Sequence, residues 1–205
     1  MVSNWLNSIK ENLEKNPTDR HQEHIVSLSN WIAEETNRGN RANLNFICTH
    51  NSRRSQFAQT WCHVVQKWYG IDVANSYSGG TEVTACNERT IAALKRTGLS
   101  VGSDGAENPV YSITDSELDL NLRLWSKVYD DPSNSAERFA AVMTCDHADQ
   151  NCPFIPGAAI RIPLTYTDPK YADDTEEEET AYDQTCTIIA TDMIRIFSLL
   201  RKNLS

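Results

Sequence analysis

The chain has 205 residues, enough for one domain with additions and a buried core. Its formal net charge is −9, with 28 acidic and 19 basic residues, which argues against nonspecific binding to nucleic acid or an anionic membrane. No apolar run approaches the length of a membrane span, and the first residues lack a signal-peptide core, so we expect a cytoplasmic protein. The six cysteines are then expected to be thiols, and the absence of C-x2-C spacings predicts no metal site.

The first forty residues predict two amphipathic helices, over residues 3–15 and 20–38, with a break at Asn16–Asp19. We therefore divide the chain into a helical extension, residues 1–40, and a domain, residues 41–205. The extension is expected to form a cap that packs on the sheet or on a second subunit. A partner-binding role is the alternative.

The stretch on which the functional prediction depends is residues 43–60, NLNFICTHNSRRSQFAQT. Its apolar run, Leu44–Ile47, is typical of a buried parallel strand, and from Ser52 onward apolar residues recur at helical spacing. The order is therefore strand, Cys48, polar loop, helix. Because the first N–H groups of a helix have no intrahelical partner, an anion binds there, and a cysteine aimed at the same place is held as thiolate. Arg54 is placed to clamp a tetrahedral oxyanion.

A second strand is predicted over Ile71–Tyr77 and a second helix over Cys86–Thr97. Residues from about 100 to 138 alternate apolar and polar side chains in two runs, which predicts a β-hairpin. Its strands are Asn108–Ile113 and Leu122–Tyr129, with an acidic turn at Asp115–Asp119. This insertion is either a flap near the site or an extension of the sheet.

Two further strands, Phe139–Thr144 and Ala158–Leu164, precede a final helix, Thr180–Lys202. The third strand leads directly into Cys145, and the fourth is followed by Asp168-Pro169. Ligands bind at the carboxyl ends of strands in such sheets, so we expect Cys145 and Asp168 at the same edge as Cys48.

The segment from Cys48 to Ser55, CTHNSRRS, resembles the C-x5-R-S loop of low-molecular-weight tyrosine phosphatases and of the thioredoxin-coupled arsenate reductases built on that fold. The resemblance covers residues 43–99 and 139–202. It implies an α/β fold of the flavodoxin-like three-layer kind: a parallel four-stranded sheet flanked by helices, here with the helical extension and the hairpin insertion added. Two positions depart from the family pattern, which usually has glycine at His50 and a small residue at Arg53.

The resemblance also implies roles for the site residues. Cys48 is the nucleophile, Arg54 binds the oxyanion, and Asp168 is the proton donor. The other members of the oxyanion-binding loop are Thr49, His50, Asn51, Ser52, Arg53 and Ser55.

The sequence TCDHADQNCPFIP, which contains Cys145 and Cys152, resembles the redox segment of the reductases. By that resemblance Cys145 attacks the arsenic adduct of Cys48, and Cys152 resolves the disulfide for a thioredoxin-like reductant. The first hypothesis is thus a thiol-dependent arsenate reductase with no bound cofactor and a small oxyanion substrate. The second is a phosphatase acting on phosphotyrosine or a small phosphomonoester, for which Tyr171 near Asp168 leaves room. The third is a non-catalytic anion-binding or phosphoprotein-binding module. The oligomeric state stays open.

Overall fold

The computed structural model describes residues 1–135, 137–151 and 154–204. Its helices are α1 (Val2–Lys15), α2 (Gln22–Asn37), α3 (Arg54–Tyr69), α4 (Glu88–Arg96), α5 (Asp146–Asn151) and α6 (Glu178–Leu204), and a 3₁₀ turn covers Pro169–Ala172. Its strands are β1 (Ala42–Cys48), β2 (Ala74–Gly80), β3 (Ser100–Ser103), β4 (Tyr111–Asp115), β5 (Leu120–Leu124), β6 (Phe139–Met143) and β7 (Ala158–Pro163).

The predicted parallel sheet is confirmed: four strands lie in the order β2-β1-β6-β7, and each neighbouring pair is parallel. The two central strands are almost entirely buried, which explains why they read as continuous apolar runs rather than alternating ones. Side chains of one parity, such as Leu44 and Phe46, join a large core with the long helices. Side chains of the other parity, such as Ile47 and Met143, form a smaller cluster with Ala148 of α5.

The insertion forms a second, antiparallel sheet with the order β3-β4-β5. The predicted hairpin is present as β4 and β5, which pair directly, but its second strand begins and ends earlier than the alternation suggested. β3 was not predicted, because four residues with glycine among them give no clear alternation. The three strands thus form a sheet of their own, and the insertion reaches the parallel sheet through an isolated bridge between Val128 and Gly80.

The extension packs on the same chain. Trp5 of α1 stacks on Trp61 of α3 with ring centroids 4.7 Å apart, and the buried residues of α1 and α2 belong to the main core. Glu35 of α2 also binds Arg138, directly before β6, with oxygen and nitrogen 2.6 Å apart. These contacts favour a cap that is part of the folded unit, and the division at residue 40 stays a prediction. Among the described residues, no helix is long and apolar enough to cross a membrane.

Candidate active site

The loop between β1 and α3 begins at Cys48, the last residue of β1, and ends where α3 begins at Arg54. Asn51 is the residue with a left-handed backbone, at φ 47°. The family pattern usually has glycine at position 50, but His50 is not among the described residues with positive φ. Asparagine adopts this conformation more readily than most residues.

A hydrogen-bond chain joins the loop to the predicted nucleophile. The amide of Asn51 donates to Ser55 Oγ at 2.8 Å, and Ser55 Oγ lies 3.1 Å from Cys48 Sγ. Since Ser55 Oγ accepts from Asn51, its single proton is available for the sulfur. A hydrogen bond donated to sulfur stabilises the thiolate over the thiol.

Glycine in β2 lets the loop approach the sheet. Gly80 pairs with Cys48 in the parallel register, and a Cβ on Gly80 would lie 2.6 Å from the carbonyl oxygen of Thr49. That distance is far below van der Waals contact, so a side chain here would displace the loop. Gly80, the last residue of β2, thus shapes the site, and β2 runs three residues beyond Tyr77, where the predicted second strand ended.

The insertion braces the loop from outside. Ser126 donates to the carbonyl of His50 at 2.9 Å, and the backbone N–H of Lys127 donates to the side chain of Asn51 at 3.0 Å. Gln56 of α3 donates to the carbonyl of Trp125 at 2.9 Å. We call residues 125–127 the strap. The insertion was expected to be either a flap near the site or an extension of the sheet. The strap braces the loop, and Val128, the residue after it, forms a parallel bridge with Gly80 at the end of β2, so the insertion also adds one bridge to the sheet.

Asp168 lies against the two arginines of the loop. Arg53 Nε is 2.8 Å from one carboxylate oxygen of Asp168, and Arg54 Nη2 is 2.7 Å from the other. Arg54 also donates to the carbonyl of Tyr166 at 3.0 Å, which fixes its guanidinium. Burial raises the pKa of Asp168, but the positive charges of Arg54 and Arg53 outweigh it, so the pKa lies below its ordinary value.

These groups surround one small pocket, lined by Cys48, His50, Ser52, Arg53, Arg54 and Asp168. His50 also lies 3.5 Å from Glu82, a partner on the rim of the pocket. Arg53 is only 8 % exposed, so its side chain is part of the pocket wall.

Cys145 lies at the same edge of the sheet as Cys48. Its sulfur is 3.6 Å from the hydroxyl of Thr49, the residue that follows Cys48, and that hydroxyl is 3.3 Å from His147 Nδ1. The backbone N–H of Ala148 donates to the Cys145 sulfur at 3.4 Å. Residues 146–151, in the interior of the predicted redox segment, form the short helix α5. Cys152 lies outside the described residues, so its predicted role stays a prediction.

The other described cysteines are buried away from this chemistry. Burial raises the pKa of Cys86 to about 12 and raises those of Cys62 and Cys186 further. A thiol held neutral in this way is a poor nucleophile. They are packing residues.

Comparisons with known proteins agree with this architecture. The family described as low molecular weight phosphotyrosine protein phosphatase matches residues 43–205. An arsenate reductase of Bacillus subtilis is 31% identical over 139 residues, 68% of this chain and 82% of that protein. An arsenate reductase of Halalkalibacterium halodurans is 29% identical over 142 residues, 69% of this chain and 84% of that protein. The crystal structure of a low molecular weight phosphotyrosine phosphatase from Vibrio cholerae O395 is similar in fold, with a TM-score of 0.51 and 12% identity, covering 78% of this chain and 97% of that one.

Proposed function

The chain belongs to the low molecular weight phosphotyrosine protein phosphatase family, and from that premise we propose that it is a thiol-dependent arsenate reductase. The observation that carries the proposal is the position of Cys145, whose sulfur contacts the residue next to Cys48 at the predicted oxyanion pocket. A phosphatase needs only one thiol, whereas arsenate reduction needs further thiols to supply two electrons. The arsenate reductases at about 30% identity support the same choice.

In the first step the Cys48 thiolate attacks arsenic, an S–As bond forms and an As–O bond breaks. The departing oxygen takes up a proton and leaves as water. Asp168 is the residue predicted to transfer that proton. Arg54 and the N–H groups at the start of α3 bind the remaining oxygens.

In the second step the Cys145 thiolate attacks Cys48 Sγ. An S–S bond forms, the S–As bond breaks, and its electron pair stays with arsenic, which is thereby reduced from the +5 to the +3 state and leaves as arsenite. The Cys152 thiolate then attacks Cys145 Sγ and frees Cys48. An external dithiol of the thioredoxin kind reduces the Cys145–Cys152 disulfide, which requires a reducing compartment, and we propose the cytoplasm.

The second candidate is hydrolysis of phosphotyrosine or a small phosphomonoester through a cysteinyl-phosphate. Tyr171 favours it, because this ring is 64% exposed three residues after Asp168 and is free to contact an aromatic substrate. The same nucleophile and oxyanion loop serve both reactions.

The test compares Cys145→Ser and Cys152→Ser with the wild-type protein in an arsenate assay coupled to thioredoxin and its reductase. Both variants should lose arsenite production by at least about 100-fold and retain any aryl-phosphate hydrolysis, because the relay acts only after the S–As bond has formed. Cys62→Ala, which changes a buried thiol outside the site, is the matched control. The wild-type thiol count should fall from six to four on arsenate exposure without reductant.

Normal arsenate reduction by both variants would refute the relay. Either activity in Cys48→Ser would refute both enzyme assignments. Phosphate or phosphopeptide binding with no turnover of any oxyanion would favour the binding-module alternative.

A further inference from the structure

Arg53 occupies a loop position where the sequence departs from the family pattern, and its side chain is turned toward Asp168. The Arg53 Nε–H donates to Asp168 Oδ1 at 2.8 Å, and the residue is almost fully buried. A small side chain at this position would leave Asp168 with one guanidinium instead of two.

The hydrogen bonds of Asp168 fit a carboxylate and not a carboxylic acid. Oδ1 accepts from Arg53 Nε and from the backbone N–H of Lys170, and Oδ2 accepts from Arg54. Two of these three donors are guanidinium groups, and hydrogen bonds from cations are stronger to a carboxylate than to a neutral carboxyl group. Protonation of Asp168 therefore weakens its bonds to Arg53 and Arg54.

The two arginines differ in what happens when an oxyanion binds. Arg54 is the predicted clamp, so its guanidinium turns to the substrate and its hold on Asp168 weakens. Arg53 bonds Asp168 through Nε and is free to keep that bond in the loaded pocket. The other titratable groups that line the pocket with Asp168 are Cys48 and His50.

We propose that Arg53 is a specificity-determining residue: by holding Asp168 as a carboxylate, it disfavours substrates whose leaving group must be protonated by the enzyme. Phosphomonoesters of weakly acidic phenols and alcohols are such substrates. Oxyanions that carry their own hydroxyl proton, such as arsenate near neutral pH, are the favoured class. The inference extends the proposed function, since it explains why a phosphatase-type pocket would prefer arsenate.

The proton balance separates the two classes. For a phosphomonoester, the S–P bond forms, the P–O ester bond breaks, and the ester oxygen keeps the electron pair. That oxygen must take a proton from Asp168, which has to be protonated beforehand. For the dihydrogen arsenate monoanion, one hydroxyl proton moves by way of the Asp168 carboxylate to the departing hydroxyl, which leaves as water, and the adduct is the dianionic arsenic(V) thioester of Cys48. The second reaction consumes no proton from the enzyme.

The test measures kcat/KM of Arg53→Gln for phenyl phosphate, with a poor leaving group, and for 4-nitrophenyl phosphate, with a good one. The variant should gain about tenfold on phenyl phosphate and less than about threefold on 4-nitrophenyl phosphate, since one unit of pKa changes the protonated fraction of Asp168 tenfold. The alkaline limb of the phenyl phosphate profile should move to higher pH.

Arg53→Lys keeps a positive charge and should retain the wild-type ratio of the two substrates. Arg96→Gln, which removes a surface ion pair with Asp183, is the matched control. An unchanged ratio, or a larger loss on phenyl phosphate than on 4-nitrophenyl phosphate, would overturn the proposal and leave Arg53 with a structural role only.

A measurement without turnover completes the test. The ¹³C titration of the Asp168 carboxyl should move to higher pH in Arg53→Gln, and an unmoved titration would overturn the proposal. Neither this readout nor the aryl phosphates involve Cys145 or arsenate. A wild-type protein inactive on arsenate would therefore refute the proposed function. The proposal that Arg53 controls Asp168 would still be decided by the aryl phosphate ratio and the ¹³C titration.

Discussion

Ser55 has one hydroxyl proton, and its neighbours decide where that proton points. Asn51 donates to the hydroxyl oxygen, so the proton of Ser55 is directed to the Cys48 sulfur. The side-chain oxygen of Asn51 accepts a hydrogen bond from the backbone N–H of Lys127, so both the oxygen and the nitrogen of the Asn51 amide are held in place. At the scale of single residues, the pocket is thus organised by a serine and an asparagine that carry no charge.

Ser55→Ala removes the hydrogen bond to sulfur and leaves the Asn51 amide donor without this acceptor. The thiolate then loses stabilisation, and we expect the alkylation rate of Cys48 by iodoacetamide at pH 7 to fall by about tenfold, equivalent to about 1.4 kcal/mol. Mass spectrometry of the Cys48 peptide measures it. Ser198→Ala, which removes a hydroxyl paired with Tyr69 far from the loop, should alkylate normally. Equal rates in the two variants would show that Ser55 does not act on the sulfur.

At the scale of elements, the oxyanion loop is held by segments that are distant in sequence. The residues after β2 donate to the carbonyls of Cys48 and Thr49, at 3.2 and 2.9 Å, and the strap binds His50 and Asn51. Irregular loop backbone is satisfied in this way by partners from two other connections. The insertion therefore contributes to the shape of the pocket without lining it.

Ser126→Ala is expected to loosen the strap, because Ser126 binds the carbonyl of His50 and accepts from the backbone of Thr84 at 3.0 Å. The loop should lose about 1 kcal/mol of hydrogen-bond stabilisation, which should raise the dissociation constant for inorganic phosphate about fivefold. Isothermal titration calorimetry gives the dissociation constant. Ser112→Ala, on the exposed face of β4, is the control within the same insertion. An unchanged affinity in Ser126→Ala would mean that the strap does not shape the pocket.

The sequence predicted the elements with strong patterns and missed the contacts made between elements. The apolar run before Cys48 and the helical spacing after Ser52 located β1 and α3, since local patterns decide strands and helices. The burial of Arg53 against Asp168 depends on residues more than a hundred positions apart, and charge alone gave no sign of it. The strap is equally non-local, because only the folded chain brings Ser126 to His50.

At the scale of the whole molecule, the extension is tied to the sheet by a buried acid. Glu35 of α2 accepts from Arg138, Arg38 and Asn40. The Arg138 hydrogen bond lowers the pKa of Glu35 to about 2, although burial opposes it. Because the folded pKa lies below the ordinary value of 4.5, this stabilisation is fully present above about pH 4.5. It is lost as the pH falls toward 2.

Glu35→Gln is therefore expected to lower the free energy of unfolding at pH 7 by about 1–3 kcal/mol, since charge-assisted hydrogen bonds to Arg138 and Arg38 are lost. The loss should shrink as the pH falls from 4.5 toward the folded pKa, because Glu35 of the unfolded chain takes up a proton there while folded wild-type Glu35 is still ionised. Urea unfolding at several pH values measures it. Glu34→Gln, which removes an exposed carboxylate paired with Arg38 at 3.6 Å, should change stability much less. A deficit for Glu35→Gln that does not vary with pH would rule out the titration of Glu35 as its cause.

The bond between Arg54 and Asp168 means that the pocket carries an internal counter-ion. Any visiting anion must compete with this tethered carboxylate for the guanidinium. Chloride presents a single atom and gains little from the exchange, whereas a tetrahedral oxyanion offers several oxygens to the guanidinium and to the N–H groups at the start of α3. We therefore expect abundant monatomic salt to compete poorly with oxyanions for this pocket.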